Sequence, residues 1–286
     1  MTAKRMTRMP RPAMIIAALL VLATSVAAAQ GGGRRNGGFQ QYFGSSDEFY
    51  TPPEWTANPV YDGRVTFVRL KYHGFEHWSG GVRGGAGWAH DYPLAETHFG
   101  KIMLAISTMR PFVQAPPIFG STILTLDDPT LMKYPVAWMS EPGGWHMTPS
   151  EVAGFRKYIM KGGFIIFDDM ECCVTPGADL ANLVVEWKKA FPDLKLMDLP
   201  RTHPVFDAFF KIDFTKVKGY YGGPTGHYEL YAFFEDNDPH KRLLAVINDY
   251  NDLGDWMEWS DQGFNVTPSN EAYKLAVNYF VYALTH

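Results

Sequence analysis

The chain has 286 residues, 46% hydrophobic and 20% charged, an ordinary globular composition that excludes a disordered, collagen-like or disulfide-built protein. Its formal charge of −4 averages two unlike regions: Lys4, Arg5, Arg8 and Arg11 stand in the first 29 residues with no acid among them, leaving 22 basic groups against all 30 acidic ones, or −8, for the rest. A body of that charge, with no basic stripe, repels phosphate backbones, so nucleic acid is not an expected partner.

The basic start, the apolar stretch Ala13 to Val26 and the small residues Ala27, Ala28 and Ala29 have the layout of a secretory signal peptide over residues 1–29, cleaved after Ala29. The apolar run is shorter than the roughly 20 residues that a bilayer span needs, and no other stretch is long enough, so the mature form is expected to have no membrane span and to be periplasmic or secreted. Residues 30–62, rich in Gly, Asn, Gln and Pro without an apolar period, read as a flexible lead-in to a single domain over 63–286.

Within that domain, VTFVRL (65–70) reads as a first strand after the turn Asp62-Gly63. Ala95, Phe99, Ile102, Met103 and Ile106 place a helix between Tyr92 and Met109. STILTL (121–126) and YPVAWM (134–139) are the next strands. Thr148, Pro149 and Glu151 then supply an N-cap, a first-turn proline and the third-position acid of a capping box for a helix carrying Val152, Phe155 and Ile159. Gly162-Gly163 ends it, and FIIFDD (164–169) follows as a buried strand. An amphipathic stretch with Leu180, Leu183, Val184, Trp187 and Phe191, the strands LYAFF and LLAVIND, and a final helix with Ala272, Leu275, Tyr279, Phe280 and Ala283 complete the order. This alternation predicts an α/β, three-layer sandwich with a mostly parallel central sheet, whose functional residues stand beyond the carboxyl ends of the strands.

Carboxylates dominate those predicted ends. Asp168, Asp169 and Glu171 close a fully apolar strand, and after LLAVI come Asn248, Asp249, Asn251, Asp252, Asp255 and Glu258; Glu141 and Trp145 follow the third strand, and Tyr72, His73, Glu76, His77 and Trp78 the first. Acids gathered in one crevice repel unless they share a proton, meet a base such as Arg69 or Arg156, or bind a cation. Asp168, Asp169 and Glu171 are therefore candidate ligands for a divalent cation, calcium or magnesium, with His77, Trp78, Trp145, Asp252 and Glu258 as the surrounding ligand-binding residues. Trp78, Trp88, Trp145, Trp256 and Trp259 fall in predicted loops, as aromatic faces of a sugar or peptide site would. Zinc is disfavoured, because His73 and His77 are four apart on what reads as strand end and loop, and Cys172 and Cys173 are adjacent instead of spaced C-x-x-C. Those cysteines read as thiols, a vicinal disulfide or a metal-binding pair.

The segments FVRLKY with His77-Trp78, DDPTLMKYPVAWMSEPGGW, EVAGFRKYIMKGGFIIFDD, THPVF and NDYNDLGDWMEW, in this order, resemble DUF4159, a bacterial family of unknown function within the class I glutamine amidotransferase-like superfamily. The resemblance covers residues 63–286 and implies a flavodoxin-like fold. A working glutaminase of that superfamily has a nucleophilic Cys on a Gly-x-Cys-x-Gly turn with a later His-x-Glu pair. Here FIIF runs into Asp168-Asp169-Met170-Glu171 without flanking glycines, and both the elbow and a His-x-Glu pair are read as absent, so glutamine hydrolysis is expected to be lost. Three functions remain: binding of a small polar ligand or cation in an acidic, aromatic crevice, hydrolysis of envelope glycan or peptide by paired carboxylates, and service as a scaffold for envelope proteins.

Overall fold

The computed structural model describes residues 58–74, 87–115, 118–119, 121–170, 177–219, 228–258 and 266–286. The expected signal peptide and most of the lead-in lie outside the described residues, as do His77, Trp78, Glu171, Cys172, Cys173 and Trp259. In chain order the strands and α-helices are β1 (Phe67–Leu70), β2 (His73–Gly74), α1 (Leu94–Ile106), β3 (Val113–Ala115), β4 (Ile118–Phe119), β5 (Ser121–Leu124), β6 (Val136–Ser140) and β7 (Trp145–His146). Then come α2 (Pro149–Met160), β8 (Phe164–Asp168), α3 (Ala178–Ala190), β9 (Met197–Asp198), β10 (Glu229–Phe234), β11 (Leu243–Asp249), α4 (Leu253–Met257) and α5 (Val266–Thr285).

Seven strands form one sheet in the order β5-β1-β6-β8-β11-β10-β9. The pairs from β5 to β11 are parallel, while β10 and β9 add antiparallel to the edge. The central strands VAWMS, FIIFD and LLAVIND are buried at every position, which explains their unbroken apolar runs: both faces are covered. On one face Phe67, Val136, Trp138, Phe164, Ile166 and Val246 pack with α1, α4 and α5. On the other, Val68, Leu70, Ala137, Met139, Ile165, Phe167 and Ile247 pack with α2 and α3. The expected mixed α/β class and mostly parallel sheet are thus present.

Local chemistry sets the element ends. The capping box read from Thr148 and Glu151 is formed in both directions at α2. α1 spans the whole apolar period from Ala95 and ends at Ile106, where the Ser107 hydroxyl donates to Met103 O at 2.6 Å and accepts from Met109 N at 3.2 Å, drawing the chain out of the helix. Among the described residues, no helix is long and apolar enough to cross a membrane.

Candidate metal centre

The adjacent strands β6, β8 and β11 end in one manner. Beyond the ladder, Glu141 N donates to Asp168 O and Asp169 N to Asn251 O, both at 3.1 Å, continuing the pairing by one step. The chain then turns through a left-handed residue after each strand: Glu141 (φ 45), Asp169 (φ 58) and Tyr250 (φ 55). Asp91 (φ 63), just before α1, is a fourth. Only glycine takes this conformation without strain, and other residues held there cost on the order of 1–3 kcal/mol each, a cost that concentrates at functional sites.

These turns aim their acids at one point, His90. Its Nδ1 lies 2.8 Å from Asp169 Oδ2, 3.3 Å from Asp91 Oδ1, 3.8 Å from Glu141 Oε1 and 3.9 Å from Asp252 Oδ2. Two overlapping triads result, His90 with Asp91 and Asp252, and His90 with Glu141 and Asp169, each with its ligand atoms within 4.8 Å of one another. The imidazole retains 23% of its exposure while the four carboxylate side chains keep 9% or less, so water reaches the group past His90. Asp252 spends Oδ1 as the N-cap of α4, accepting from Asp255 N at 2.8 Å, and its buried Oδ2 has no hydrogen-bond partner, nor does Asp91 Oδ2.

Close packing holds these groups in place. A side chain at Gly87 would run into the Glu141 carboxylate and the Tyr72 hydroxyl, and one at Gly254 into the Asp91 carboxylate. Tyr72 in turn donates to the carbonyls of Ser140, at 3.0 Å, and Glu141.

Crowding moves the titrations in a consistent way. Burial pushes Asp91 up to about 7 and Glu141 up to about 8, with neighbouring carboxylates adding to the rise and His90 opposing it. Burial also raises Asp168 and Asp252 well above the carboxylate range. For His90, burial pulls downward, but Asp91, Asp169 and Glu141 outweigh it and lift the imidazole well above its ordinary value.

The sequence-predicted residues divide accordingly. Asp169 and Asp252 stand in the His90 group. Asp168 lies directly beneath, with Oδ2 accepting from Gly254 N at 2.9 Å and Oδ1 buried without a partner. Glu258 follows the far end of α4, beside Tyr273 and outside the group. Trp145 belongs to β7, not a loop, and is 1% exposed; its ring packs 5.8 Å from Phe155 and 5.7 Å from Phe167 under α2, so it serves the core and not a ligand face. Trp88 is likewise buried. The expectation that a His-x-Glu pair is missing also needs correction: His227-Tyr228-Glu229 is one. His227 lies outside the described residues, and Glu229 opens β10 opposite Asp249. The residue in the strained turn after β8 is nevertheless a carboxylate, Asp169, and not a cysteine.

His90, Asp91 and Glu141 were not singled out as ligands in the sequence. Glu141 carried a signal, because it directly follows a buried strand. His90 and Asp91 follow no strand, and only their position between a glycine-rich stretch and the start of α1 marked them.

Fold and cluster together define an α/β protein in which, among the described residues, one histidine and four carboxylates gather at the carboxyl ends of a mostly parallel sheet. The chain belongs to the family described as Domain of unknown function (DUF4159), whose model matches residues 66–284. No curated protein matches the chain.

Proposed function

We propose that the protein is a metal-binding domain that holds one divalent transition-metal ion between His90, Asp91, Glu141, Asp169 and Asp252. The observation that carries this reading is the convergence of four buried carboxylates on one imidazole nitrogen. With ligand bonds of ~2.0–2.2 Å, two donors on one ion stand about 2.8–3.6 Å apart at right-angle or tetrahedral positions. The separations of 2.8 and 3.3 Å from His90 Nδ1 match that range, and those of 3.8 and 3.9 Å need only a small inward rotation.

A nitrogen in the ligand set changes the metal expected from acids alone. Imidazole with carboxylates suits zinc, manganese or iron better than calcium or magnesium, which take oxygen ligands. The two triads share one ring nitrogen with one lone pair, so they cannot each hold a His90-bound ion, and the stoichiometry is one. An ion held there would supply Lewis acidity and an acidified water, and the partly exposed His90 marks the side from which water or a small polar ligand would reach it.

Calorimetric titration of the purified protein with zinc and with manganese tests this reading. One equivalent bound, abolished in Asp169→Asn, is the expected result; no heat from either ion, with an unchanged melting temperature on adding a chelator, would overturn it. The amino-terminal basic and apolar segment supports export as the setting, which fractionation of cells carrying a carboxyl-terminally tagged chain would check. The superfamily's flavodoxin-like arrangement is likewise part of this reading, supported by the strand order and the resemblance.

A further inference from the structure

The buried ion pair beneath the centre is made by Arg69, on β1, and Glu96, in the first turn of α1, both essentially without exposure. Desolvating an arginine for a single carboxylate partner is poor stabilisation, and an apolar side chain of similar size often serves a core as well. Phe67, two residues earlier on the same face, is such a side chain. What distinguishes Arg69 is where Nη1 points, Nη2 being buried without a hydrogen-bond partner. Nη1 shares its two hydrogens among Trp88 O at 3.0 Å, His90 O at 2.6 Å and Ser140 Oγ at 2.9 Å. The first two acceptors belong to the segment that carries His90 and Asp91; the third belongs to the residue before Glu141. Arg69 touches none of the proposed ligand atoms, yet it ties together the two stretches of chain that supply three of the five.

We propose that Arg69 is the positioning residue of the metal centre: its guanidinium fixes the His90 segment against the end of β6, so that His90, Asp91 and Glu141 are presented to one ion. The proposal rests on the metal-binding reading above. A lysine cannot replace Arg69, because one ammonium cannot hold Glu96 from one edge and the three oxygens from the other as the planar fork does. Groups that orient metal ligands in this way typically contribute about 10–100-fold in affinity.

Cobalt(II) is the probe, because its visible absorption at saturation reports ligand geometry and not the stability of the fold. Arg69→Lys is expected to bind Co2+ at least about tenfold more weakly than the wild-type protein and with an altered spectrum. Ser140→Ala, which deletes one of the ties, should change both in the same direction by about twofold to fivefold. Asp169→Asn, a ligand variant, is the control that loses binding. If Ser140→Ala keeps wild-type affinity and spectrum while Asp169→Asn loses binding, the positioning role is overturned and the metal reading stands, whether or not Arg69→Lys folds. If the wild-type protein binds no Co2+, both fail together.

Discussion

Alternate residues of the same four strands meet opposite chemistry. Leu70, Met139, Phe167 and Ile247 carry the apolar pattern to the strand ends under α2 and α3, whereas Arg69, Ser140, Asp168 and Asn248, one step away toward α1 and α5, are polar, and all eight have 0% exposure. Burial therefore does not separate the two faces. On the apolar face a buried side chain contributes its transfer energy, about 1.5–3 kcal/mol for one of this size. On the polar face each group must be desolvated, and the cost is recovered only through hydrogen bonds, shared protons or an ion. Asn248 shows the hydrogen-bonded case, donating to Phe167 O at 3.1 Å and accepting from the Tyr279 hydroxyl at 2.9 Å. Asp168, with one buried oxygen unpartnered, shows the other.

The largest expected effect comes from the apolar face. Phe167→Ala should cost about 3–5 kcal/mol in urea unfolding, with residual metal binding in whatever fraction remains folded.

Next is pH, which should act on the polar face. Asp91 and Glu141 titrate at about 7 and about 8 in the folded protein, against roughly 4 when unfolded. Between those values the native state keeps protons that the unfolded chain has released, so their stabilisation falls as pH rises from about 4 through 8. His90, raised above its unfolded value of about 6.5, acts with the same sign, its contribution being complete below that pH and lost as pH rises through the folded titration. Metal-free protein should thus unfold more easily at pH 8 than at pH 5, by on the order of 1 kcal/mol per pH unit for each group titrating. Zinc, which displaces those protons, should raise the melting temperature more at pH 8 than at pH 6.

A smaller change sharpens the contrast. Asp252→Asn keeps an N-cap for α4 but removes one buried carboxyl that can ionise toward a cation. It should weaken zinc binding by at least about tenfold in calorimetry while leaving the metal-free protein equally or more stable, the reverse of the pattern for Phe167→Ala. Smallest is Thr148→Ala at the head of α2, which should cost about 1 kcal/mol in thermal unfolding and leave zinc affinity unchanged.

The apolar face was readable in the sequence because repetition announces it. Runs such as FIIF and LLAVI, and the helical spacing of Leu183, Trp187 and Phe191, are statements about burial that neighbouring residues repeat. The capping box at Thr148 was readable for the same reason, since its partners lie three residues apart. The polar face offered no such redundancy. Asp168, Asp169 and Asp252 stood out because they interrupt or follow apolar strands, but His90 and Asp91 reach the site from a segment preceding α1, and their partners lie 50 or more positions away. Trp145 misled in the opposite direction: a tryptophan beside glycines has the composition of a loop, yet its pairing in β7 and its ring contacts make it part of the core. Arg69, read in the sequence as a base for the acids, pairs with Glu96 and opposes the rise of Asp91, while its Nη1 is taken up by two backbone carbonyls and Ser140 Oγ.

The most direct measurement is anomalous diffraction at the zinc absorption edge from a crystal grown or soaked with zinc near pH 8. A single peak within coordinating distance of His90 Nδ1 and the Asp169 carboxylate, with Asp91, Glu141 or Asp252 completing the shell, is the predicted result. A zinc-soaked crystal with no peak among these residues, and the His90 imidazole still paired with Asp169, would contradict a metal centre and leave the cluster as a proton-sharing network.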